Sequence, residues 1–267
     1  MALVALVGWS AMTFLDRLIF QPGLGKARTA EGRNAEDVFL RTEDGVRVHA
    51  YWLPGESHGR PADRAILFLH GNGGDASRRL PNADRLRGLG AHVLLLDYRG
   101  YGKSEGRPSE AGAYADARAA LDYLTKDRGL SEDRIVVFGR SLGGAVAIDA
   151  VQGRAIAGLV VESTFPSIAA IARSYLGIGL DFWLATRFAS IDKAGAIRCP
   201  SLVFHGSHDR VIRVGLGRRL FDAMPEPKRW FEIPGARHAD TVRVGGETYW
   251  RTWREFLEQT VPLEAAP

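Results

Sequence analysis

Short, mostly apolar runs recur along the chain at residues 65–69, 92–96, 135–138, 156–161, 202–204 and 230–233. Runs of this length, rich in Val, Ile, Leu and Phe, read as strands buried on both faces. Between them lie stretches long enough for helices, at 77–88, 110–126, 142–151, 215–224 and 246–259. Strand–helix alternation of this kind predicts a mostly parallel sheet with helices on both faces. Ahead of it, Val38-Phe39-Leu40 and a run from Val46 to Trp52 flank Thr42-Glu43-Asp44-Gly45. Asp-Gly between two strand-like runs signals a tight turn, so an antiparallel hairpin is expected to open the sheet.

Two stretches break the alternation. About forty residues separate Val161 from Ser201, more than an ordinary crossover needs, and they carry a surplus of apolar and aromatic side chains. One reading is a helix buried on the sheet. The other is a small cap-like insertion, about 164–192, that receives an apolar part of a substrate. Phe165, Tyr175, Phe182 and Trp183 are its pocket-lining candidates. At the other end, residues 1–15 are almost wholly apolar and stop at Asp16-Arg17. A membrane-spanning helix needs about 20 apolar residues, and no basic segment precedes the run as in a secretory signal. Three readings stand: a membrane anchor within 1–22, an uncleaved signal-like segment, and an amphipathic helix packed on the domain. The first places the protein at a membrane; without it the cytoplasm is expected. Residues 23–36, rich in Gly and charge, read as a linker, and 37–267 as one α/β domain.

Composition narrows the classes. A 267-residue chain that is 46% hydrophobic and 25% charged can bury a large core in one domain. Its net charge of +4 comes from arginines scattered along the chain, which argues against a nucleic-acid stripe. The single cysteine, Cys199, excludes an internal disulfide framework and any zinc site built from cysteines. It reads as a buried, inert thiol.

Chemistry enters where the run at 135–138 breaks into Gly139-Arg140-Ser141-Leu142-Gly143-Gly144 and a small-residue helix follows. A serine on a sharp strand-to-helix turn is a nucleophile elbow. Such a serine needs a base to take its proton and an acid to orient that base. His238 follows the last apolar run in the loop Pro234-Gly235-Ala236-Arg237-His238, and Asp209 follows Phe204-His205-Gly206-Ser207-His208. Both lie where the carboxyl end of a strand should be, the place at which open α/β sheets build sites. The chain order Ser141, Asp209, His238 makes His238 the base and Asp209 the acid, with Glu162 as rival acid. After residues 65–69 comes His70-Gly71-Asn72-Gly73-Gly74. A Gly-rich turn there presents backbone N–H groups to a developing oxyanion, so the amides of Asn72 and Leu142 are the candidate donors. A phosphate-binding loop fails, because the pattern Gly-x-x-x-x-Gly-Lys-Ser/Thr is absent.

These segments, with Asp97-Tyr98-Arg99-Gly100-Tyr101-Gly102-Lys103-Ser104-Glu105-Gly106 and Glu162-Ser163-Thr164-Phe165, resemble the α/β-hydrolase superfamily from Asp37 to Pro262. The Bem46-like branch of serine hydrolases is the closer match. The resemblance implies the α/β-hydrolase fold, a Ser141–Asp209–His238 triad and no cofactor. It further implies an N-terminal membrane segment followed by an aromatic-Pro motif, which Phe20-Gln21-Pro22 is similar to. The expected activity is hydrolysis of a small-molecule carboxylic ester or thioester through an acyl-enzyme on Ser141. An amidase or peptidase with the same triad and a catalytically silent binding protein are the alternatives. No metal is expected. Asp97 to Gly106 reads as a loop packed beside the site.

Overall fold

The computed structural model describes residues 19–22, 34–57, 59–177 and 186–263. Residues 1–18, most of the expected linker, and the pocket candidates Phe182 and Trp183 lie outside the described residues. Eight strands form one sheet: β1 (Glu36–Arg41), β2 (Arg47–Leu53), β3 (Ala65–Leu69), β4 (His92–Leu96), β5 (Ile135–Arg140), β6 (Gly158–Glu162), β7 (Ser201–Gly206) and β8 (Lys228–Ile233). Their spatial order is β1-β2-β4-β3-β5-β6-β7-β8. β2 runs antiparallel to both its neighbours, β1 and β4, and every other pairing in the sheet is parallel. The antiparallel opening and the parallel remainder are as the patterning predicts.

The alternation of side chains sorts the core into two layers. Leu67, Leu69, Val137, Leu159, Val161 and Val203 face one way, and Ile66, Phe68, Val136, Phe138, Val160 and Leu202 the other. The first layer is covered by α2 (Glu110–Asp122) and α3 (Leu142–Ala150); α1 (Leu80–Arg87) and α7 (Thr241–Thr260) cover the second. Between α3 and α7 the chain forms α4 (Ile168–Leu176), α5 (Ser190–Ala194) and α6 (Val214–Asp222). Because β3, β5, β6 and β7 are buried on both faces, neither period-2 alternation nor polarity marks them in the sequence. Full burial of each such Val, Leu, Ile or Phe is worth roughly 1.5–3 kcal/mol. Cys199 is buried, and burial pushes its thiol up to about 11, consistent with an inert side chain.

The structure shifts several boundaries. The helix expected over 77–88 begins as a tight 3₁₀ turn at Ala76–Arg79, and α1 starts only at Leu80. Pro81 explains this, because proline is tolerated in the first turn of a helix and not in its interior. The last helix begins at Thr241 and is interrupted at Gly246, whose φ of 51° and ψ of −135° are not helical. The apolar pattern therefore restarts after Gly246, where the sequence reading placed its beginning. Among the described residues no helix is long and apolar enough to cross a membrane.

The chain leaves β3 for α1 on one face and β5 for α3 on the other. Adjacent parallel strands whose connections diverge leave a crevice at their carboxyl ends. The loops after β3, β5, β7 and β8 surround it.

Candidate active site

Ser141 stands between β5 and α3 with φ 53° and ψ −118°. That conformation is sparsely populated for a residue with a Cβ and costs of order 1–3 kcal/mol. The surroundings hold it there. The Ser141 N–H donates to the Glu162 carbonyl at 2.8 Å, and the Ser141 carbonyl accepts from Thr164 Oγ1 at 2.9 Å. Close approach, not a left-handed backbone, requires glycine on either side of the turn. A Cβ on Gly139 would lie 2.2 Å from the Gly143 carbonyl oxygen, and one on Gly143 would lie 2.1 Å from that of Leu69. The helix thus starts pressed against the ends of β3 and β5, with Ser141 raised into the crevice.

Two further loops meet it. His238 Nε2 is 3.1 Å from Ser141 Oγ, and His238 Nδ1 is 2.8 Å from Asp209 Oδ2. Asp209 is anchored through its other oxygen, which accepts the N–H groups of Val211 and Ile212, each at 2.8 Å. Burial pushes the Asp209 carboxyl up, but the His238 hydrogen bond and charge and the Ile212 amide outweigh it and leave it below its ordinary value. The carboxylate is therefore held ionised against Nδ1, which makes Nε2 the nitrogen that faces the hydroxyl. A second imidazole, His205, is buried beside this pair, its Nε2 donating to the Ile212 carbonyl at 2.8 Å. Burial lowers its pKa, so it is neutral there.

The Gly-rich loop after β3 passes directly over Ser141. A Cβ on Gly71 would stand 3.3 Å from the Ser141 Cβ and 3.9 Å from its Oγ. His70 Nδ1 lies 2.6 Å from the Gly71 carbonyl oxygen, which belongs to the same planar peptide as the Asn72 N–H. Tyr98 donates its hydroxyl to the His70 carbonyl and Tyr101 to that of Asn72, each at 3.0 Å. The loop from Asp97 to Gly106, read from sequence only as packing, therefore holds the Gly-rich turn in shape. Leu142 is the first residue of α3, where helix N–H groups have no partner within the helix.

Glu162 does not contact His238. Its Oε1 accepts Arg140 Nε at 2.7 Å and Thr241 Oγ1 at 2.6 Å, and its Oε2 accepts the Tyr249 hydroxyl at 2.7 Å. Both oxygens are committed, so the rival-acid reading is corrected: Glu162 anchors Arg140. Burial would raise its carboxyl, yet Arg140, Thr241 and Tyr249 together hold it below its ordinary value. Thr241 and Tyr249 carry no local sequence signal, because they reach Glu162 from the far end of the chain.

The two pocket candidates among the described residues lie apart. Phe165 is 2% exposed and packs in the sheet core, so it fills the interior and is not available to a ligand. Tyr175 is 50% exposed on α4, and its hydroxyl donates to the Val211 carbonyl at 3.1 Å. It leans on the loop that carries Asp209.

A model of the alpha/beta hydrolase family matches residues 66–264. An uncharacterized protein of Mycobacterium tuberculosis is 39% identical over 98% of this chain and 95% of its own length. An alpha/beta hydrolase domain-containing protein of Arabidopsis thaliana, WAV2, is 35% identical over 94% of this chain and 90% of its own. Among solved structures, an esterase of Pyrococcus furiosus superposes with a TM-score of 0.74 at 22% identity, covering 91% of this chain and 99% of that one. That likeness concerns the fold alone. With three quarters of its length matched and relatives of this similarity, the chain belongs to the alpha/beta hydrolase family.

Proposed function

We propose that this hydrolase cleaves a carboxylic ester or thioester through an acyl-enzyme on Ser141. The observation that carries the reading is the continuous relay Ser141 Oγ–His238 Nε2–Asp209, at 3.1 and 2.8 Å, on a serine held at φ 53°. His238 takes the hydroxyl proton as Ser141 attacks the carbonyl, and Asp209 stabilises the imidazolium that forms. The Asn72 and Leu142 N–H groups receive the oxyanion. His238 then protonates the leaving alcohol or thiol, and water, activated by the same imidazole, releases the acid.

The cap-like reading of about 164–192 belongs to the same proposal. It is supported by α4 leaning on the Asp209 loop through Tyr175. Membership of the Bem46-like branch likewise remains a proposal, carried by the motifs of the Gly-rich loop, the elbow and the 97–106 segment.

The test is a chain-length series of p-nitrophenyl esters and acyl thioesters on wild type and Ser141→Ala, with fluorophosphonate labelling of both. Turnover and labelling in wild type alone support the reading. Turnover that survives in Ser141→Ala overturns the mechanism. No turnover and no labelling in wild type turns the reading toward a catalytically silent binding protein.

A further inference from the structure

The Gly-rich loop over Ser141 contains three glycines in five residues, with Gly74 at φ 73°, so its own backbone restrains it weakly. Oxyanion donors contribute to rate only when they are already aimed at the site. Rigidity must therefore come from outside the loop: Tyr98 and Tyr101 supply part of it, and a segment outside the matched family region supplies more. The short stretch from Ile19 to Pro22 lies alongside the loop and makes a parallel β-bridge, Gln21 opposite Gly73. Gln21 N–H donates to the Asn72 carbonyl at 3.3 Å, and Gly74 N–H donates to the Gln21 carbonyl at 3.1 Å. The same Gln21 N–H is 3.0 Å from the Tyr101 hydroxyl, which itself donates to the Asn72 carbonyl. The Asn72 side chain is used as well: its Nδ2 donates to the Ile19 carbonyl at 3.1 Å.

Asn72 is thus gripped by carbonyl and side chain at once, while among the described residues its backbone N–H has no partner and is the group that would meet an oxyanion. Phe20 pins the segment. It is 4% exposed, and its ring centroid lies 5.9 Å from that of Phe188. Phe188 is fully buried and is in turn held by Glu110, whose Oε1 accepts its N–H at 2.9 Å. A surface tail would not bury an aromatic and commit both the N–H and the carbonyl of one residue to one loop.

We propose that residues 19–22 are a positioning strap for the oxyanion loop, with Phe20 as its anchor and the Gln21 backbone as its grip on Asn72. This inference rests on the serine-hydrolase reading above. The strap touches no reacting atom; it sets where the Asn72 N–H points. Losing it leaves substrate binding nearly unchanged and weakens binding of the transition state.

The experiment uses the full chain. Gln21→Pro deletes the N–H shared by Asn72 and Tyr101. Phe20→Ala removes the anchor, and Phe20→Leu restores an apolar one. Tyr101→Phe removes the hydroxyl bridge should Gln21→Pro not fold. The expected result is a kcat lower by about 10- to 100-fold in Gln21→Pro and Phe20→Ala, KM within about twofold, and kcat largely recovered in Phe20→Leu. Affinity for a trifluoromethyl ketone, whose tetrahedral adduct places an oxyanion in the hole, should fall by the same factor as kcat/KM. A lowered melting temperature with kcat and inhibitor affinity unchanged would overturn the strap, because it would show packing alone. Absence of Ser141-dependent turnover in wild type would instead overturn the hydrolase reading beneath it.

Discussion

Arg140, the residue immediately before Ser141, donates its Nη2 to the backbone carbonyl of His238, 98 residues further along the chain. Its Nε is bound to Glu162, so one guanidinium ties β5, the neighbouring β6 and the loop of His238 into one unit. The Arg140 bond and the Asp209 contact hold His238 from its backbone and its ring respectively. Arg140→Lys loses the planar fork that makes both bonds. Its kcat on an activated ester should drop by about 10-fold or more while Ser141 still reacts with fluorophosphonate. Arg140→Met leaves Glu162 buried without its cation, and urea unfolding should show a loss of about 3–5 kcal/mol. Equal stability of Arg140→Met and wild type would show that Glu162 does not depend on it.

Asp209 holds Nδ1 of His238 while its second oxygen is fixed by two backbone amides. Asp209→Asn keeps the shape and presents an amide to that nitrogen, which favours the wrong tautomer. Turnover should fall by about 10⁴-fold in a protein that still unfolds cooperatively in urea. A reduction of less than tenfold would mean that another acid orients His238.

Ser141 carries backbone strain for the sake of its position. Ser141→Gly removes the Cβ that makes φ 53° unfavourable, and the protein should gain roughly 1 kcal/mol in urea unfolding while losing turnover. Ser141→Ala, which keeps the Cβ, should lose turnover without that gain. Identical unfolding curves for the two variants would locate no strain at the elbow.

Gly143→Ala should be among the most damaging single-methyl changes in the chain. The added carbon would meet the Leu69 and His70 carbonyl oxygens at 2.1 and 2.5 Å, and these are backbone atoms that cannot swing aside. Destabilisation of about 3 kcal/mol or more, or failure to fold, is expected from overpacking against the sheet. Wild-type melting behaviour would contradict this packing.

Asp97 is wholly buried, with His49 and His70 beside it and the Ala76 N–H donating at 2.7 Å. Burial would raise its carboxyl, but these neighbours outweigh it and leave a pKa of about 2. The folded value lies below the unfolded one of 3.8, so the group stabilises the fold fully above that value. This contribution, about 2 kcal/mol, is lost as the pH falls from 4 toward 2. The Asp209 and Glu162 carboxyls are lowered too and act in the same direction. Urea unfolding across that range should show stability falling with pH, with a shallower slope in Asp97→Asn. Parallel slopes in the two proteins would remove Asp97 from the account.

What the sequence determined by itself was whatever depends on neighbours in the chain. The apolar runs at 65–69 and 92–96 match β3 and β4 residue for residue, because a strand buried on both faces leaves a continuous apolar signature bounded by turns. The glycines around Ser141, the Gly-rich loop and the loops bearing Asp209 and His238 were legible for the same reason, since each follows a strand at its carboxyl end. What the tertiary structure decided depends on which distant residues meet. The last helix begins with a turn at Thr241 ahead of the break at Gly246, and burial in the core removed Phe165 from the pocket candidates. Glu162 became an anchor for Arg140 only when Thr241 and Tyr249 arrived from 79 and 87 residues away. The hold of Ile19 and Gln21 on Asn72 is made largely by backbone groups. Every non-proline residue carries such groups, so no residue type announces that contact, and it takes the folded chain to bring them together.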